Sequence, residues 1–372
     1  MKLRKFVLLF AVLPLLCYCG GKDNVPELPP PSIVDDGGGN GGGDNGGGNE
    51  DDEDDGGNGG TSTPAGEWEK NRGVSVTPSG TGWTSTVVRE GIVFYKFSGT
   101  DPVSGKAQNV CAIDVDLANP NYEVHLTRTS PSAFTSVVHA AHNAIATMNA
   151  GYEAGSIYIR IAGKDWSALP NTTIGSTGVR NWKSEAAFFS DGKRSVHLRT
   201  VEELIRPYVS PESSQMSAYI NKQRMYLYND SSADIISSSP MLIDDFKPVG
   251  ETFIDYSISN WSKLNTEEPQ YHQRKRHPRS AVALTENNHF IMMTVDGRQT
   301  NSAEGMSAKE LTRFFVKNFN PQYALNMDGG GSTAMCVEGL GNSSTHIVNV
   351  PIQDNVKGRE RARDTHFMIV AK

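Results

Sequence analysis

Tyr323-Ala324-Leu325-Asn326-Met327-Asp328-Gly329-Gly330-Gly331-Ser332-Thr333-Ala334-Met335-Cys336-Val337 passes from one apolar stretch to another through three consecutive glycines. Tyr323–Met327 predicts a buried strand and Ala334–Val337 a second one. Glycine within a sheet costs conformational entropy, so a triple glycine marks a turn or a close backbone approach. The groups around it are one acid and two hydroxyls, Asp328, Ser332 and Thr333. Two readings are open: a tight structural turn capped by Asp328, or a cradle in which the N–H groups of Gly329–Gly331 face an anion. A nucleotide-binding P-loop is excluded, because no Gly-Lys-Ser/Thr is present and no helical pattern follows.

The surrounding pattern predicts an α+β fold: strand-rich mixed sheets with a few packing helices, in one domain. Upstream of the glycines, Ser307 and Glu310 make a capping box, and Leu311, Phe314, Phe315 and Phe319 supply the buried stripe of a helix that Pro321 ends. Ser280–Leu284 and Phe290–Val295 predict a hairpin around Glu286-Asn287-Asn288, and His366–Val370 the last strand. Further back, Ile92–Phe97, Asn109–Leu117 and Tyr122–Thr129 read as consecutive strands, and Ser132–Asn143 as a helix leading into the apolar run Ala144–Met148. Ala186–Ser190 and Lys193–Leu198 flank the hairpin signal Asp191-Gly192. In the less legible stretch 200–275, a helix is expected near Val201–Ile205 and a strand near Arg224–Tyr228.

The N-terminal region is of another kind. Lys2, Arg4 and Lys5 precede a short apolar run, Phe6–Leu16, too short to span a bilayer and suited to a secretory signal. It ends in Leu16-Cys17-Tyr18-Cys19, which resembles a lipoprotein signal with Cys19 as the lipidated residue. Residues 1–19 are therefore read as signal and anchor, 20–66 as a tether, and 67–372 as the folded domain. Asp35 to Gly60 contains only Gly, Asn, Asp and Glu and has nothing to bury, so a flexible, self-repelling spacer is expected. The chain is thus expected to be exported and held on a bacterial cell envelope through its lipid. The net charge of −7 also resides here: residues 1–60 carry four Lys/Arg and eleven Asp/Glu, leaving 61–372 neutral. A neutral domain lacks the basic footprint of general nucleic-acid binding. Cys111 and Cys336 lie in strand-like runs without a pairing motif. Two buried thiols are expected, a disulfide being the alternative.

Chemistry-bearing residues cluster at strand ends. Asp296-Gly297-Arg298 ends one strand, Arg276-His277-Pro278-Arg279-Ser280 opens another, and Asn149-Ala150-Gly151-Tyr152-Glu153 ends a third. Each alone reads equally as a turn or a solvated basic segment. Together, in this order and with Asn326–Ser332, they resemble the phosphodiester glycosidase family. The matching runs are Asn149-Ala150-Gly151-Tyr152, Pro278-Arg279-Ser280-Ala281, Asp296-Gly297-Arg298 with Gly305-Met306-Ser307, Asn326–Ser332 and Glu360-Arg361. The resemblance covers about 144–372. Glu153 stands where the family often has a second aromatic residue.

The resemblance implies hydrolysis of a sugar-1-phosphodiester at the C1–O bond, with a glycan or glycoconjugate as substrate; no cofactor or metal is expected, a cation shared by Asp296 and Asp328 being the alternative. The phosphate leaving group is already a stable anion, so a general acid is less needed than for an ordinary glycoside. Asp328 is the first candidate for the catalytic carboxylate, Asp296 the second and Glu153 the third. Arg279, Arg298 and Arg361 are expected to hold the phosphate, with Gly329, Gly330, Gly331, Ser332 and Thr333 completing an anion cradle. Asn149, beside Gly151, is expected to contact a sugar hydroxyl. Two alternatives stay open: a non-catalytic glycan-binding lipoprotein, and a phosphoesterase that cuts P–O.

Overall fold

The computed structural model describes residues 71–169, 179, 181–200, 213–251 and 254–372. Cys19, the tether and the expected Val201–Ile205 helix lie outside the described residues. In chain order the strands are β1 (Trp83–Arg89), β2 (Ile92–Thr100), β3 (Ala107–Asp116), β4 (Tyr122–Ala133), β5 (Ala146–Asn149), β6 (Ile159–Ile161), β7 (Lys164–Ser167), β8 (Ala186–Ser190), β9 (Val196–Thr200) and β10 (Asp234–Ser238). They continue as β11 (Met241–Asp244), β12 (Lys247–Pro248), β13 (Arg279–Leu284), β14 (His289–Val295), β15 (Tyr323–Asn326), β16 (Met335–Val337), β17 (Ile352–Gln353), β18 (Val356–Lys357) and β19 (Arg363–Ala371). The α-helices are α1 (Thr135–His142), α2 (Ser213–Tyr228), α3 (Pro269–Arg274) and α4 (Ala308–Asn318).

An eight-stranded sheet runs β1-β2-β3-β14-β13-β15-β11-β12; a five-stranded sheet runs β7-β6-β10-β8-β9; a four-stranded sheet runs β16-β5-β19-β4. The expected α+β class holds. The expected mixing of strand directions does not: every named pairing is antiparallel. Parallel neighbours need long crossovers, usually helical, and the described helices are too few to supply them.

Alternation along the central strands explains the layers. Ala281 and Ala283 of β13, and Ile291, Met293 and Val295 of β14, face a core shared with Leu311, Phe314 and Phe315 of α4. Val282, Leu284, Phe290 and Met292 face the opposite way, into an interior shared with Val124 and Leu126 of β4, Phe188 of β8, and Phe367 and Ile369 of β19. The eight-stranded sheet is thus covered by a helix on one face and by the smaller sheets on the other. Such two-sided burial gives its strands long apolar runs.

The capping box forms as expected: Glu310 N–H donates to Ser307 Oγ at 3.2 Å, and Ser307 N–H donates to Glu310 Oε2 at 2.9 Å. The strand expected near Arg224–Tyr228 is instead the last turn of α2. Met225 and Leu227 mimic strand alternation, but the buried pair is Gln223 and Leu227, four residues apart. The Asp191-Gly192 hairpin is wider than a two-residue turn, because the Asp191 carboxylate accepts the N–H groups of Lys193, Arg194 and Ser195. Cys111 and Cys336 are buried free thiols. No described helix is long and apolar enough to cross a membrane.

Candidate active site

The chain changes sheets at the triple glycine. β15 belongs to the eight-stranded sheet and β16 to the four-stranded one. Between them the turn is tied to both: Met327 N–H donates to Ser280 O at 2.8 Å, and Asp328 N–H to Ala150 O at 3.1 Å. Gly330 N–H donates to Pro278 O at 2.8 Å, with φ of +59° at Gly330, a conformation that favours glycine. At Gly331 space decides, since a Cβ there would sit 2.0 Å from Gln353 Oε1 and 2.8 Å from Arg361 Nη2. A Cβ at Gly329 would meet Pro278 O at 2.5 Å. The glycines therefore let three other segments close onto the turn.

Asn149 holds this crossing. Its Nδ2 donates to Asp328 O at 2.7 Å, while its Oδ1 accepts from Ser280 Oγ at 2.8 Å and Ala334 N–H at 3.2 Å. Its amide is engaged at both ends and it is fully buried. It is a strut between sheets rather than the sugar contact expected. Gly151 is likewise enclosed, its N–H donating to Thr365 Oγ1 at 3.0 Å.

With its backbone fixed, Asp328 directs its carboxylate at Arg363, from the start of β19. Asp328 Oδ2 lies 3.1 Å from Arg363 Nε, and both side chains are about nine-tenths buried. They meet without hydrogen-bond alignment, so both atoms remain without a hydrogen-bond partner. Arg363 Nη1 reaches Glu153 Oε1 at 3.2 Å, and its Nη2 donates to Gly151 O at 3.4 Å. One guanidinium thus serves two carboxylates. Burial raises the Asp328 carboxyl above the ordinary carboxylate range, with Arg363 opposing and Glu153 adding to the rise. Glu153 is pushed up by burial, but Arg363 and Lys183 outweigh that and hold it below its usual value.

The expected phosphate arginines divide. Arg279 is fully enclosed: Nε donates to Met306 O at 2.8 Å, and Nη2 to His272 O at 2.7 Å and Lys275 O at 3.0 Å. Burial, with Arg298 nearby, lowers it to about 10. Its fork stitches the C-terminal turn of α3 to the start of β13 instead of meeting a ligand. Arg298 and Arg361 do reach the turn. Arg298 Nη2 lies 3.3 Å from where a Cβ at Gly330 would stand, and Arg361 Nη2 lies against Gly331 while its Nε donates to Gln353 Oε1 at 2.6 Å. The cation that pairs with Asp328 is Arg363, and neither Arg279 nor Arg298. Sequence reading stopped two residues short of it, at Arg361.

Asp296 does not join Asp328. Its Oδ1 accepts from Asn349 Nδ2 at 2.9 Å, both its oxygens accept the Val350 N–H at 3.0 Å, and Asn109 Nδ2 donates to Oδ2. It is a brace tying the end of β14 to the 349–350 segment. Burial raises its carboxyl, and these donors oppose the rise. Among the described residues no group of three or more His, Cys, Asp or Glu is placed to hold a metal ion.

The cradle is partial. Ser332 and Thr333 donate their N–H groups to Gly329 O and Gly330 O, at 3.2 and 3.3 Å, inside the turn itself. Their hydroxyls, Ser332 Oγ and Thr333 Oγ1, are buried and have no hydrogen-bond partner. Sequence reading did not find the aromatic wall beside Asp328. Tyr152 and Trp182 each stack near His272, at ring separations of 5.8 and 5.0 Å, and Lys183 lies 4.5 Å over the Tyr152 ring while its Nζ pairs with Glu267 at 2.6 Å. Burial, reinforced by Arg279, keeps His272 and His277 far below the usual imidazole value and therefore neutral.

The comparison that decides the family is a match to the phosphodiester glycosidase model over residues 142–370. The chain belongs to the phosphodiester glycosidase family. Those residues carry Asn149, Glu153, the triple-glycine turn and Arg363, so the site described lies wholly inside the family domain. No curated protein matches the chain. Among solved structures it is similar to the catalytic domain of zebrafish N-acetylglucosamine-1-phosphodiester alpha-N-acetylglucosaminidase, auto-inhibited by its pro-peptide. That likeness is 16% identity over 80% of this chain and 87% of the other, with a TM-score of 0.47. A hypothetical protein from Synechocystis is similar at 12% identity over 79% of this chain and 64% of the other, also with a TM-score of 0.47.

Proposed function

We propose that this phosphodiester glycosidase hydrolyses the C1–O bond of a sugar-1-phosphodiester, releasing free sugar and a phosphomonoester. The observation that carries the reading is a buried ion pair beside two orphaned hydroxyls: Asp328 Oδ2 faces Arg363 Nε at 3.1 Å, and Ser332 Oγ and Thr333 Oγ1 are buried without hydrogen-bond partners. A buried polar atom left unpaired costs about 1–3 kcal/mol. Two such hydroxyls beside a buried carboxylate–guanidinium pair are expected where a polar ligand completes the bonding.

In this reading the Asp328 carboxylate faces the anomeric carbon and either stabilises its oxocarbenium-like charge or activates water. Arg363 opposes the rise that burial imposes on that carboxylate. Glu153, sharing Arg363, is the nearest second acid and replaces Asp296 in that role. Arg361 and Arg298, close to Gly331 and Gly330, face the departing phosphate, whose stable charge removes the need for strong protonation. Arg279 acts indirectly, by holding the end of α3 that carries His272 against Tyr152 and Trp182. We further propose that the chain is exported and anchored through lipid on Cys19, with residues 20–66 as the spacer, which would place the reaction at a cell envelope.

The test is hydrolysis of a panel of sugar-1-phosphodiesters in ¹⁸O-water. C1–O cleavage yields a phosphomonoester free of the label. Labelled phosphate would establish P–O cleavage and overturn the reading, and binding without turnover across the panel would favour a glycan-binding lipoprotein.

A further inference from the structure

Two cations gather on the exposed indole of the β6–β7 hairpin. Arg128 Cζ lies 4.9 Å from the Trp166 ring and Lys164 Nζ lies 4.0 Å from it, on an indole that is 44% exposed. Strand register fixes where this cluster stands. In β19 the residues that face the sheet interior are Phe367 and Ile369, paired with Leu126 and Val124 of β4. Continuing that alternation, Thr365 pairs with Arg128; beyond it the register shifts, and Arg363 lies opposite Ala133. Arg128 therefore stands beside Thr365, whose hydroxyl accepts the Gly151 N–H and so ties this position to the loop that carries Glu153. The β6–β7 hairpin brings Trp166 and Lys164 to it. That hairpin is fastened to the site loop through Ser167, whose Oγ accepts the Gly155 N–H at 2.8 Å and donates to Ile157 O at 2.8 Å.

Neither cation has a carboxylate partner among the described residues, and Arg128 Nε is buried without an acceptor. The nearby acids are already engaged. Asp165 takes Arg160 Nε at 2.8 Å and the Tyr158 hydroxyl at 2.6 Å, and Glu153 takes Arg363. Two like charges held together without a counter-ion repel each other. Cation–π attraction to an exposed ring, about 0.5–1 kcal/mol for each cation, offsets this only in part. An oxyanion bound between them would supply the missing charge and the acceptor for Arg128 Nε.

We propose that Arg128 and Lys164, organised by Trp166, form a second anion subsite for an additional phosphate, sulfate or carboxylate carried by the same substrate. The preferred substrate class then bears at least two oxyanions, the scissile phosphodiester and one further along the molecule. This deepens the proposed reaction and rests on it for the word substrate, but the subsite is read by binding, independently of turnover.

The experiment uses the full chain and two ligands, a sugar-1-phosphate and the same sugar carrying a second phosphate, with affinities measured by calorimetry at low salt. Wild type is expected to bind the bisphosphate about tenfold more tightly, a preference that added salt erodes. In Arg128→Gln/Lys164→Gln the preference should fall to about one, with affinity for the monophosphate unchanged. The charge-keeping Arg128→Lys/Lys164→Arg should retain most of it. Equal affinities in wild type, or equal weakening of both ligands in the Gln variant, would overturn the subsite. Turnover of a phosphodiester by the same samples separates the two ideas: its absence would sink the proposed reaction while the affinity ratio stayed readable.

Discussion

Replacing Arg363 by Met removes the cation shared by Asp328 and Glu153 and tests whether this ion pair holds the site together. Asp328 is the partner at risk, because Glu153 keeps about half its side chain in solvent. At the observed 3.1 Å, attraction between the charges at an effective dielectric of about 20 is roughly 5 kcal/mol. Loss of one partner from a buried pair typically costs about 3–5 kcal/mol. The two figures agree, and at roughly 2–4 °C per kcal/mol Arg363→Met should melt about 6–20 °C lower. The pH dependence has a definite sign. Burial already raises Asp328, so between the ordinary carboxylate value and its native one the folded state holds a proton that the unfolded chain has lost. Stability from this group therefore falls as pH rises through that window. Without Arg363 the window extends upward, so the deficit should be larger at pH 8 than at pH 5. Adding Asp328→Asn removes the stranded charge, and the double variant should recover at least about 2 kcal/mol over additivity in thermal or urea unfolding. Additive losses of the same size at both pH values would refute the argument.

Asp328→Asn alone should keep its fold and its affinity for the phosphomonoester product while turnover drops on the order of a hundredfold or more, checked by kinetics, calorimetry and melting on the same preparation. Glu185 is fully buried and raised to about 8, with only Oε2 receiving the Ser239 hydroxyl and the Met241 N–H. It therefore destabilises as pH climbs from the usual carboxylate range toward that value, and Glu185→Gln should raise the melting temperature by about 5 °C at pH 8 and much less at pH 5. Cys19→Ala should move the full chain from the membrane to the soluble fraction of a bacterial host; equal membrane association would count against the anchor. Deleting residues 20–66 while keeping the signal should leave the melting temperature unchanged, and a drop of several degrees would show that the tether packs on the domain.

What the sequence disclosed was local. The α4 capping box, the β13–β14 hairpin and the buried strand before the triple glycine each rest on residues within a few positions of one another, and each formed. The Arg224–Tyr228 segment misled for the same reason: in a five-residue window Met225 and Leu227 satisfy strand alternation, and only the longer helical frame from Ser213 makes Gln223 and Leu227 the buried face. Asp296 and Asn149 were visible as polar residues at strand ends, but their tasks were not. Asp296 meets Asn109 and the 349–350 segment, and Asn149 meets Ser280, Asp328 and Ala334, contacts that exist only once the sheets are stacked.

The arginines make the physical point most sharply. Arg279, Arg298, Arg361 and Arg363 all sit at strand ends or in turns, and their residue type suits an oxyanion equally well. What separates them is how much of each guanidinium the protein itself consumes. Arg279 gives three bonds to backbone carbonyls, two to the C-terminal turn of α3 that folds over it and one to Met306. Arg363 is taken by two carboxylates, one of them buried. Arg361 gives its Nε to Gln353 and turns Nη2 toward Gly331, where the missing side chain leaves the approach open. Arg298 reaches Gly330 in the same manner. The glycines thus decide the chemistry by subtraction. A side chain at Gly331 would displace Arg361, whose Nη2 would stand 2.8 Å from the new Cβ, and one at Gly330 would press on Arg298 at 3.3 Å.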